Sequence, residues 1–166
     1  MLKPMTADLS HFDADGRSRM VDVGDKPITR RMARASGIVT MRAATLAQIR
    51  SGGVSKGNVL EVARLAGILA AKRTSETIPL CHTLPLDAVE IAFHFPDDAH
   101  LKIEATVGAT ARTGVEIEAL LAVSSAALTV YDMCKGVDRG MVIGQIQLEE
   151  KLGGRSGHYR REAGGG

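Results

Sequence analysis

The run from Thr113 to Lys135, TGVEIEALLAVSSAALTVYDMCK, constrains this chain more than any other stretch. It predicts one long, Ala-rich helix, apolar around most of its circumference and therefore buried. Yet it opens on Glu116 and Glu118 and closes on Asp132 and Lys135. Charges on such a helix are costly unless exposed or paired. Glu116 and Glu118 suit the first turn, where carboxylates favour the helix dipole, and Thr113 with Glu116 predicts a capping box. At the other end a lysine suits the dipole but an aspartate does not. Asp132 and Lys135 stand three apart, share a face and can meet one ligand. The misplaced aspartate points to chemistry rather than helix stability.

A buried helix of this kind needs a domain around it. The chain has 166 residues, enough for one domain with a core. Aromatic residues make up 3% and tryptophan is absent, so that core must be aliphatic and Ala-rich. Such a core buries little area per residue, which predicts an oligomer. The formal net charge of +2 is too small to argue for nucleic acid. Cys81 and Cys134 form neither a CxxC pair nor a disulfide framework, which predicts a reducing, cytoplasmic setting. The first residues carry no signal-peptide pattern. The long helix, interrupted by Ser124, Ser125 and Thr129, reads as too broken for a membrane span.

The pattern along the chain predicts the remaining elements. Residues 1–17 are polar and aperiodic and read as a mobile arm; 18–152 read as a single domain; the Gly-rich 153–166 read as a flexible tail. Residues 28–41 read as a strand with a bulge at Gly37, 43–50 as a short helix, and 58–73 as a helix apolar almost all round. Residues 87–95 and 100–111 alternate cleanly and are joined by a PDDA turn. A last strand is expected near 141–149. The order is that of a split βαβ unit: an α+β, ferredoxin-like fold with a four-stranded antiparallel sheet and its helices on one face. The other sheet face then calls for a cover, again pointing to subunit packing.

Three further places could carry chemistry. Lys56-Gly57 precedes a predicted helix N-terminus, where free amides favour an anion, though without the Ser or Thr of a Walker loop. The segment PLCHTLP holds His82 between two prolines, and a histidine there can move protons near neutral pH. Adjacent Cys81 and His82 do not match zinc-ligand spacing, so no metal is expected. Arg31 falls on the apolar side of its strand with Ala33, Ala35, Val39 and Met41, as an arginine serving an anion or an interface would. Lys72 and Arg73 end their helix, as cations do. One distance matters: Glu118 and Asp132 are fourteen residues apart, about 21 Å along a helix. Either the ligand is long or two subunits contribute opposite helix ends to one site. RNA binding by this topology would need stacking aromatics on the sheet, and no such run exists.

MVDV (20–23), VTM (39–41), KGNV (56–59), AGILAAKRT (66–74), IPLCHTLPL (78–86), TGVEIEAL (113–120), ALTVYDMCK (127–135) and GGRSG (153–157) together resemble one family. It is the molybdenum cofactor biosynthesis protein C family of cyclic pyranopterin monophosphate synthases. The resemblance implies a lyase acting on 3′,8-cyclo-7,8-dihydroguanosine 5′-triphosphate, with release of pyrophosphate. It implies a homohexamer, a trimer of dimers with sites at the dimer interface, and neither a metal nor a redox cofactor. Asp132, Lys135 and Lys56 then match catalytic positions. Leu80, Cys81, His82, Glu116, Ile117 and Glu118 match substrate-binding segments, while Arg31, Lys72 and Arg73 fit a basic lining for the triphosphate.

Overall fold

The computed structural model describes residues 11–13, 15–52 and 58–162. The elements run β1 (Thr29–Thr40), α1 (Ala43–Arg50), α2 (Val59–Lys72), α3 (Thr74–Thr77), β2 (Leu86–His94), β3 (His100–Ala111), α4 (Glu116–Cys134), β4 (Val142–Leu152) and β5 (Tyr159–Arg160). The sheet is antiparallel in the order β2-β3-β1-β4-β5. Its four long strands, with α2 and α4 packed against them and each other, are the expected ferredoxin-like unit. The fifth strand, only two residues long, pairs Lys151 with Tyr159 and extends the β4 edge.

Alternation places the core. Ala33, Ala35 and Val39 of β1 and Leu101, Ile103, Ala105 and Val107 of β3 have no exposed surface. Against them lie Ala119, Ala122, Val123, Ala126 and Val130 of α4. Small side chains let helix and sheet approach closely. Gly37 marks the limit, since a Cβ there would stand 2.7 Å from Val123 Cγ1. The β1–β4 register shifts between Ser36 and Ile38, as a bulge at Gly37 requires.

The opposite sheet face is polar. Arg34 reaches Glu104 at 3.0 Å and Glu150 at 3.4 Å, and Glu104 also meets Lys102 and His94. Burial opposes ionisation of Glu104, but the Lys102 hydrogen bond and the nearby cations outweigh it and hold its pKa below the usual carboxylate range.

Three expectations need correction. The capping box does not form: α4 begins at Glu116 with Val115 as its N-cap and no side-chain cap bond, while Glu116 pairs with Lys151 at 3.3 Å. Helix α2 is not buried all round. Val62, Leu65 and Leu69, spaced as one stripe, are exposed. Finally, the 19-residue α4 is long and apolar enough by composition to cross a membrane. Its nine buried residues, packed on β1, β3, β4 and α2, instead make it the central core helix.

Candidate active site

Two cavities meet at the N-terminal end of α4. The larger, about 690 Å³, is lined by Lys26, Arg31, Arg112, Lys151 and Arg155, with Glu116 as its one acid. The smaller, about 280 Å³, is lined by Leu80, Cys81, His82, Ile117 and Glu118. Thr113, Gly114 and Glu116 belong to both, so the start of α4 is their common wall.

Arg31 anchors the larger cavity. It projects from the core side of β1, is only 8% exposed, and donates through Nε to Ala111 O and through Nη2 to Arg112 O. Two carbonyls hold it without neutralising its charge. Gly153 and Gly154 adopt φ of +94° and +82° beside it. A Cβ on Gly154 would collide with Arg31 Nη1, and one on Gly153 with Arg30 O. The paired glycines thus satisfy both a left-handed backbone and the space of a guanidinium. Five cations around one cavity, offset by one carboxylate, make a site for a polyanion.

The smaller cavity is different in character. Glu118 is 4% exposed, and burial chiefly, with the neighbouring Glu116 adding, raises its pKa. Burial first, and then Glu118, likewise raises the Cys81 thiol. His82 is held from outside the loop: its Nε2 lies 2.8 Å from Val21 O. These groups suit a neutral, hydrogen-bonding partner such as a heterocycle more than a charged one.

Asp132 and Lys135 lie at the far end of α4, 2.6 Å apart and largely exposed. The hydrogen bond that Lys135 Nζ donates to Asp132 Oδ1, and then the Asp132 charge, raise the Lys135 pKa, so Lys135 stays an ammonium at neutral pH. The turn beyond them is fixed by buried Asp138, which accepts from the Arg42 amide at 2.9 Å and Thr45 Oγ1 at 3.0 Å.

Of the residues singled out in the sequence, the fold gathers Leu80, Cys81, His82, Glu116, Ile117, Glu118 and Arg31 around one helix end. It leaves Asp132 and Lys135 at the other end. Lys72 lines a separate cleft with Leu86 and Asp87, and Arg73 is the exposed C-cap of α2. Lys56 lies outside the described residues. Sequence reasoning missed Lys26, Arg112, Lys151 and Arg155 as cavity residues. The one available signal was GGRSG, a double glycine next to a cation, which composition alone reads as a tail.

The sequence model of the MoaC family matches residues 20–154. A protein of Magnetococcus marinus named cyclic pyranopterin monophosphate synthase is 60% identical, over 93% of this chain and 96% of its own length. Proteins of the same name from Thermomicrobium roseum and Brevibacillus brevis are 59% and 53% identical, over 94% and 95% of this chain and 95% and 98% of their own lengths. The chain belongs to the MoaC family.

Proposed function

We propose that this chain is a cyclic pyranopterin monophosphate synthase of molybdenum cofactor biosynthesis. It is a lyase that converts (8S)-3′,8-cyclo-7,8-dihydroguanosine 5′-triphosphate to cyclic pyranopterin monophosphate and pyrophosphate. The supporting observation is near-full-length identity of 60% to a relative of that name, joined to a five-cation cavity beside a pocket suited to a heterocycle.

In this reading Arg31, Arg112, Lys26, Lys151 and Arg155 hold the triphosphate and favour pyrophosphate as it leaves. Leu80, Cys81, His82, Ile117 and Glu118 bind the pterin-forming end. A ribose hydroxyl attacks the α-phosphorus; the new P–O bond forms as the bond to the bridging oxygen breaks and pyrophosphate departs. Asp132, Lys135 and Lys56 move protons as the imidazole ring opens and the pyrazine ring forms. Lys135, held as an ammonium by Asp132, presents a fixed positive charge and hydrogen-bond donors to the substrate. Lys72 and Arg73 remain proposed contacts for the outer phosphates.

The separation of the two helix ends supports a shared site. A second copy supplies Asp132 and Lys135 to the cavities of the first, within a homohexamer built as a trimer of dimers. The reading places the enzyme in the cytoplasm and uses no metal or redox cofactor.

The test is pyrophosphate release from the cyclised nucleotide. Asp132→Asn should lower the rate about a hundredfold or more, the usual scale of a lost proton carrier. Mixing Asp132→Asn with His82→Ala subunits should restore part of it. Normal release by Asp132→Asn defeats the assignment, and no rescue after proven subunit exchange defeats the shared site.

A further inference from the structure

The segment before β1 is tied twice to residues of the site. The imidazole of His82 bonds Val21 O at 2.8 Å. Arg112 donates through Nε to Lys26 O at 3.2 Å. Both anchors are main-chain carbonyls, and both partners line the cavities described above. Between and beyond the ties, Val23 and Ile28 form a further hollow with His82, Thr83 and Arg112. One residue of each cavity is therefore held by the same stretch, whose own Lys26 lines the larger cavity.

We propose that Val21–Lys26 is a strap that positions His82, and with it Arg112, for the reaction. The argument rests on hydrogen-bond inventory. A carbonyl oxygen accepts only, so Nε2 of His82 must carry its proton in both the neutral and the charged ring. In the neutral ring Nδ1 then carries the lone pair. Among the described residues Nδ1 has no hydrogen-bond partner, so it is the ring nitrogen proposed to face the substrate. The strap thus settles which face of the imidazole works, in the way a second group orients a catalytic or metal-bound histidine elsewhere. Because the anchor is a backbone carbonyl, the sequence of the strap hides the role: no side chain of Val21 takes part.

This inference rests on the placing of His82 in the site, but its test separates the two. The primary measurement is NMR of the 15N-histidine-labelled full chain, with His82 assigned by substitution. A ring Nε2 proton protected from solvent exchange is expected. Removal of residues 1–18 should leave it protected, and removal of 1–22 should abolish protection. Over the same pair kcat for pyrophosphate release should fall about a hundredfold, the scale of a one-ångström misplacement, with KM changing far less. An unprotected ring proton in the full chain, a protected one after removal of 1–22, or equal kcat in the two truncations overturns the proposal.

A second measurement needs neither activity nor truncation. The amide of a glutamine at position 82 retains a donor for Val21 O, whereas alanine has none. Trypsin should therefore cut after Arg19 faster in His82→Ala than in His82→Gln or the unaltered chain. Equal cutting in all three overturns the strap. Protection by the strap alongside an absence of synthase activity would leave the strap standing and sink the functional assignment instead.

Discussion

Arg31 and Gly154 act as a pair. The guanidinium occupies space that any Cβ on Gly154 would fill, and the glycine holds a backbone conformation that side chains resist. Gly154→Ala should therefore cost about 1–3 kcal/mol, the range for a strained backbone position. It should also weaken substrate binding by displacing Arg31. Chemical denaturation reads the first effect and KM the second. Asp138 offers a test by pH. The Arg42 amide, and then the Thr45 hydroxyl and Arg42 charge, hold its carboxyl below the usual range despite burial. A carboxylate with a lowered folded pKa stabilises the fold above its unfolded pKa, and that contribution is lost as pH falls through the folded value. The melting temperature of Asp138→Asn should lie below that of the unaltered chain at neutral pH. The gap should close as pH drops below about 4, the ordinary Asp range. A constant gap would remove Asp138 from the linkage.

At the scale of elements, α4 and β1 are packed to the limit of small side chains. Gly37→Ala would press a methyl group onto Val123. Overpacking of a tight core costs about 1–3 kcal/mol, measurable by urea denaturation. The elements themselves were legible where the pattern was local. Strand β3 spans the alternating run from His100 to Ala111, and α1 matches the short helix at 43–50. What misled was position rather than type. Helix α2 looks apolar almost all round, yet a sequence cannot say that one of its apolar sides faces outward. Thr113 and Glu116 have capping-box spacing, but Lys151, brought by β4, takes the Glu116 carboxylate. The cavity was half legible for the same reason. Arg31 stood out as a charge on an apolar strand face. Lys26, Arg112 and Lys151 have ordinary surroundings in sequence and converge only through the pairing of β1 with β3 and β4.

For the whole molecule, the stripe of Val62, Leu65 and Leu69 on α2 and Leu128 on α4 stays exposed. An exposed apolar stripe of this kind suits a subunit contact, which fits the proposed assembly. Leu65→Glu together with Leu69→Glu should shift the particle to a smaller mass in analytical ultracentrifugation, with the protomer still folded by circular dichroism. An unchanged mass would place the subunit contact elsewhere. The strand order carries one more consequence, in time rather than space. Strand β1 lies between β3 and β4, and Met32 finds its partner in Leu152, 120 residues later. One of the first strands made must wait for one of the last, which favours slow completion of the sheet. In that interval one side of β1 is an open edge, the kind that pairs with strangers. Arg30 and Arg34, on the strand side away from the helices, put positive charge on that edge, and in the finished sheet Arg34 pairs with Glu150.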